Sequence, residues 1–196
     1  MSSLFTKLNK GAGKAGIQKN TKQAQTWFKK QIKNLGSVTP SKILKDDGLS
    51  KASTPISGQM YHYVYDPKHK DTLPHYDRFP LTIFIEPAKG GFYGLNLHYL
   101  APGVRARFLD ELMDTAPKRI TDTSRLKISY ELLKGVQKYK EFQPCFKHYL
   151  TSHIKSNIVR VPMTEWDIAI FLPTEQFEGA KAQSVWRYSR KKYTGK

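Results

Sequence analysis

A chain of 196 residues with one cysteine, Cys145, forms no internal disulfide and holds no zinc site built on several thiolates. That usage suits a reducing, intracellular setting. No apolar run approaches the roughly 18 residues needed to cross a bilayer. The basic start MSSLFTKLNKGAGKAG lacks a continuous apolar stretch, so no secretory signal is read there, and its lack of arginine argues against a mitochondrial presequence. Acid is scarce as well: 16 Asp and Glu stand against 33 Lys and Arg, for a net charge of +17. The pI is near 9.9. Such a balance favours a polyanionic partner, whether nucleic acid, an anionic surface or an acidic protein.

Recognised catalytic motifs are missing too. There is no HExxH, no HNH-type pattern, no GxSxG and no GxxxxGK[ST]. The run NKGAGKAG has the glycine and lysine of a phosphate loop without its spacing, and no strand precedes it. One stretch does contain the raw material of a metal-dependent nuclease. Residues 65–80, YDPKHKDTLPHYDRFP, carry Asp66, His69, Asp71, His75 and Asp77. Metal ligands must converge in space, however, and this run is interrupted by Pro67, Pro74 and Pro80. Asp66–Pro67 reads instead as a turn in which Asp66 bonds backbone amides ahead of it. Cys145 and His148 could share one helix face, but a lone cysteine in an apolar stretch reads as a core residue. No catalytic residue, metal, cofactor or small-molecule substrate is therefore expected.

What the chain does have is a body. Its hydrophobic fraction is 39% and its aromatic fraction 12%, enough for a folded core. Charge is distributed unevenly. Residues 1–57 hold eleven Lys and only Asp46 and Asp47 as acids, and residues 179–196 hold six basic residues and no acid. Residues 58–178 are close to neutral, with sixteen basic and fourteen acidic side chains. This divides the chain into a basic N-terminal arm with linker (1–57), a core domain (58–178) and a basic C-terminal helix and tail (179–196).

Within the arm, Ala24, Trp27, Phe28, Ile32 and Leu35 make one stripe on a helix of about 21–35, capped by Thr21 and stopped by Gly36. Its lysines lie on the remaining surface. It could pack on the body or a partner, lie on a membrane surface, or offer its lysines to phosphates. The preceding NKGAGKAG is expected to be flexible, and the following segment a polar linker with one short helical turn after Ser41.

In the core, QMYHYVYD, PLTIFIEP and GFYGLNLHYL read as an antiparallel meander, with Gly90–Gly91 as a turn and Gly94 as a bulge or close approach. Pro102 opens a helix with Val104, Phe108, Leu109, Leu112 and Met113 inward, and Arg105, Arg107, Asp110, Glu111 and Asp114 outward. A second helix covers SYELLKGVQKY, and CFKHYLTSHI reads as helical. IVRVPM is a short strand. TEWDIAIFL starts on a Thr164/Asp167 capping pattern, and AKAQSVWRYSRKK forms a last helix. The fold class is α+β: a small antiparallel meander packed with several helices, flanked by basic arms.

The run from Met60 to Met113 also carries a resemblance. Its YDPK, TLPHYD, FPL and GFYGLNLHYL motifs, with the later CFKHYLTSHIKS and LPTEQFEGAKAQSVWRYSR, resemble the DNA end protector family of T-even-type tailed bacteriophages. Members are minor head proteins that bind the termini of the packaged genome, and the likeness covers roughly 59–190. The resemblance implies a non-enzymatic virion protein, present in host cytoplasm during assembly, that binds double-stranded DNA ends and other head, neck or tail proteins. It singles out no active-site residue. Lys and Arg would hold phosphates and aromatics would stack on a terminal base. The residues expected to do so are Lys22, Lys29, Lys30 and Lys33 on the first helix, and Arg187, Arg190, Lys191 and Lys192 on the last, with Trp186 and Tyr188 for stacking. The alternatives are a structural neck, tail or baseplate subunit whose basic arms clasp acidic neighbours and, behind it, a metal-dependent nuclease using the Asp/His stretch. No membrane partner is expected.

Overall fold

Alternating side chains in the body place one set of residues on each face of a sheet. In the computed structural model, which describes residues 3–114 and 140–194, the sheet has six strands. β1 is Ser50–Ala52, β2 Met60–His62, β4 Leu81–Ala88, β5 Gly91–Asn96, β6 Phe146–Leu150 and β7 Ile158–Val161. Their order is β1-β7-β2-β4-β5-β6, and every pairing is antiparallel. Tyr76–Asp77 (β3) and Phe177–Glu178 (β8) form a separate two-stranded ribbon. The expected β2-β4-β5 meander is therefore the centre of a wider sheet. Gly94 serves the second purpose foreseen for it, a close approach, while the bulge falls on β4 opposite it. The β4–β5 register slips between Phe84 and Glu86, and a Cβ at Gly94 would lie 2.3 Å from Thr82 Cγ2.

One face of the sheet carries Met60, Leu81, Ile83, Ile85 and Leu95, and the helices pack on it. The other carries a tyrosine-rich cluster of Tyr61, Tyr63, Tyr65, Phe84, Phe92 and Tyr149. Tyr63 meets three aromatic neighbours edge-on, and its hydroxyl donates to Thr82 Oγ1 at 3.2 Å.

The helices are α1 Leu4–Lys14, α2 Lys22–Lys33, α3 Pro40–Leu44, α4 Pro102–Asp114, α5 Trp166–Ala169 and α6 Ala182–Thr194. α2 agrees with its sequence pattern: Thr21 accepts from Ala24 N, and Ala24, Phe28 and Ile32 are buried. The expected flexible segment before it is corrected. Residues 9–14 belong to α1, which buries Phe5, Leu8 and Ala12. The glycines that suggested flexibility have a packing role, since a Cβ at Gly11 would stand 3.0 Å from the Trp27 ring. Ser3 caps α1, and Asp46, one of the two acids in the first 57 residues, accepts from Leu4 N at 2.9 Å. Side chains of α1, α2, α4, α5 and α6 join the same core cluster.

Two further expectations are corrected. CFKHYLTSHI is not a helix: β6 pairs with β5, Leu95 opposite Phe146 and Gly91 opposite Leu150. Phe146, Tyr149 and Leu150 recur at helical spacing, but the open edge of β5 supplies backbone partners that local periodicity does not reveal. Thr164 does not cap α5. A short 3-10 turn at Met163–Glu165 leads into it without a side-chain cap, and Asp167 accepts from Asn20 N instead. The helix expected over SYELLKGVQKY lies outside the described residues.

Phe28 is 1% exposed. Phe28→Ala should lower unfolding stability by about 3–5 kcal/mol in urea titrations. A loss below about 1 kcal/mol would mean that α2 is not part of the cooperative core.

Candidate nucleic-acid interface

The Asp/His stretch resolves into unrelated environments. Asp66 pairs with Lys70 at 3.1 Å rather than with backbone amides ahead of it. His69 and Asp71 are exposed. His75 packs among the rings of Tyr99, Phe177 and Tyr188. Asp77 turns inward. Among the described residues no group of three or more His, Cys, Asp or Glu is placed to hold a metal ion.

Asp77 is the centre of a buried network. Its Oδ2 accepts from His98 Nδ1 at 2.7 Å and from Asn96 Nδ2 at 3.0 Å, and its Oδ1 accepts from the amides of Phe79 and Gln176. Burial alone would raise its pKa, but His98 and these donors outweigh burial and hold it below the ordinary carboxylate value. On the far side of His98, Nε2 faces Thr174 Oγ1 at 3.2 Å. Acid, imidazole and hydroxyl follow the order of a proton relay, yet all three are buried, and the hydroxyl is already engaged with His98 Nε2 and Leu172 O.

Arg105, expected outward on α4, is instead 0% exposed. Nε donates to Leu100 O at 2.8 Å, and Nη1 and Nη2 donate to the carbonyls of Ile170 and His98. Glu175 stands 3.7 Å from Nη1, close enough to balance the charge. Trp186 completes the site: its indole N–H donates to His98 O at 2.9 Å, and the Arg105 guanidinium lies 5.7 Å from its ring centroid. Trp186 is thus half-buried and fixed in place. Cys145 is also buried, with its thiol pushed up to about 12 by burial, and it shares no helix with the exposed His148.

The expected phosphate-binding residues stand on two helices. Lys22, Lys29, Lys30 and Lys33 are all exposed on α2, and Lys22 and Lys30 flank Ile17 and Trp27 in one shallow depression. Arg187, Arg190, Lys191 and Lys192 are exposed on α6. That helix divides them. Arg187 and Arg190 line a groove against α4, whereas Lys192 leans over Tyr188, 5.1 Å from its ring centroid. Tyr188 is 46% exposed and also meets the His75 ring. α4 links the two helices: its Asp110 accepts from Gln25 of α2 at 2.7 Å, and its other flank faces α6. Among the described residues none of these eight cations is in an ion pair. One groove cation was not singled out from sequence as a binding residue: Arg107, exposed on α4. The available signal was its place in RAR, ahead of the first acid of that helix, Asp110.

A family model described as phage T4 terminal DNA protecting protein matches residues 2–194. The chain belongs to that family. The membership agrees with the resemblance carried by the sequence motifs and makes this a bacteriophage protein of the DNA end-protecting class. Searches of curated proteins and of solved structures found no match. Among the described residues no helix is long and apolar enough to cross a membrane.

Burial, with a smaller push from His98, drives His62 from 6.5 down to about 3. The unfolded chain regains the ordinary value, so between these limits it binds more protons than the folded one, and stability falls as pH falls. Urea titrations from pH 7 to pH 4 should show this loss, with a shallower slope in His62→Gln. An unchanged slope in the variant would remove His62 from the account.

Proposed function

We propose that this protein binds the ends of packaged double-stranded DNA without catalysis, and shields them by occupying the terminus so that a host exonuclease cannot load. The observation that carries the reading is the state of the basic side chains. Lys22, Lys29, Lys30 and Lys33 on α2, and Arg187, Arg190, Lys191 and Lys192 on α6, are exposed and unpaired with carboxylates among the described residues. Had they served internal ion pairs, their charge would already be neutralised. Left open, they attract phosphates regardless of base sequence, and the counterions released make binding steeply salt-dependent. Family membership supports the choice of DNA as the polyanion. Contact with head, neck or tail proteins belongs to the same proposal, since an end held inside a virion needs an anchor.

Binding of linear duplex, followed by fluorescence anisotropy across a salt series, tests the reading. Each phosphate contact contributes about −0.9 to the slope of log K against log salt. Changing Lys29, Lys30 and Lys33 together to Ala should flatten that slope by about 3 if each meets a phosphate. Saturating protein should also protect linear duplex from exonuclease. Weak, salt-insensitive DNA binding with tight binding to a neck or tail protein would instead favour an assembly subunit. Cleavage on adding magnesium or manganese would overturn the non-enzymatic part.

A further inference from the structure

We infer that the groove between α4 and α6 is a seat for the phosphorylated terminal nucleotide of a DNA strand. The inference rests on the DNA-end reading above and adds to it a location and a ligand chemistry. The groove encloses about 560 Å³, within the range of roughly 300–1,000 Å³ typical of small-ligand clefts.

Its lining divides into two chemistries. Arg107 from α4 and Arg187 and Arg190 from α6 supply three guanidinium groups, and among the described residues no carboxylate lines the groove. Guanidinium forks match phosphate oxygens two at a time, and a terminal phosphate exposes more oxygens and more charge than an internal phosphodiester. Tyr99, Leu100, Val104 and Trp186 supply an apolar and aromatic wall on which a base or sugar can rest. Trp186 is held for this by its bond to His98 O and by Arg105 against its ring, so the wall is already ordered before a ligand arrives.

A separate observation points to a ligand at this place. Ser189 also lines the groove and is 2% exposed, yet its hydroxyl has no hydrogen-bond partner among the described residues. A buried hydroxyl without a partner is costly, and native proteins retain few of them. A phosphate oxygen beside Arg187 and Arg190 would accept from it. The same cation set would not discriminate ends from interiors if it merely followed a backbone, but a groove whose apolar wall lets a base rest beside the guanidinium groups admits an end more readily than a continuous duplex.

The test uses the full chain and duplexes of one sequence and length. Two carry blunt ends with either a 5′- or a 3′-phosphate, one has hydroxyl ends only, and one is closed at both ends by hairpin loops. The expected result is that one phosphorylated duplex binds about tenfold more tightly than the hydroxyl-ended one, as for a charged hydrogen-bonded contact. Arg107→Ala and Ser189→Ala should each shrink that difference. Ser189→Ala should do so at unchanged or raised thermal stability, because it removes a buried hydroxyl with no partner among the described residues. Equal binding of phosphate and hydroxyl ends, both tighter than the closed duplex, would overturn the seat and leave the end-binding reading standing. Equal binding of open and closed duplexes would overturn the end-binding reading and the seat with it. Variants that weaken all four duplexes alike would reduce Arg107 to a general backbone contact and overturn the seat.

Discussion

The fold depends on the burial of two opposite charges at one point where separate parts of the chain meet. Asp77 enters with β3, His98 with the turn after β5, Arg105 with α4, and Thr174 and Glu175 with the segment before β8. Taking a carboxylate and a guanidinium out of water is costly unless nearly every polar atom finds a partner. Here Asp77 accepts four hydrogen bonds and Arg105 donates to three carbonyls. Those partners come from distant stretches, so the network forms only when the sheet, α4 and the C-terminal segment are all in place. It specifies an arrangement more than it adds stability.

That constraint reaches the surface. His98 O accepts from both Arg105 and Trp186, so the buried charges fix the aromatic side chain that anchors α6. With α6 held by its Trp186 and Val185 side, its basic residues stand outward, Arg187 and Arg190 toward α4 and Lys191 and Lys192 to solvent. At the other end of the chain, Glu165 binds Lys19 and Asn9, and Asp167 binds the backbone of Asn20. These acids hold the segment before α2, while among the described residues the lysines of that helix pair with no carboxylate. Glu165 and Asp167 thus position a basic helix without neutralising it.

Several elements were legible because their physics is local. α2 announces itself by a capping Thr21 and an apolar stripe at helical spacing, and α4 by Pro102 and the stripe through Phe108 and Leu112. The meander is marked by alternation and by Gly90–Gly91. Other elements depend on partners far along the chain. α1 looked flexible because Gly11 and Gly13 weaken a helix, yet Gly11 lets Trp27 approach and the Phe5–Leu8–Ala12 face finds the core. β6 looked helical because its apolar residues fall three to four apart, but a strand edge was waiting for it. The basic residues proposed for phosphate contact were readable as charge, and Arg107 was passed over because the groove it lines is completed by α6, far along the chain.

By itself the amino-acid order settled the excess of cations and where along the chain they lie, the α+β character, the main helix and meander, and membership of a phage family through its motifs. Tertiary structure alone decided which of two arginines two positions apart is a core residue and which lines an exposed groove, and which of five carboxylate and imidazole groups in one loop turns inward. The physical reason is that periodicity tells a side chain which way it faces from its own element. Whether it meets water, a carbonyl or another charge is settled by elements that pack there from elsewhere.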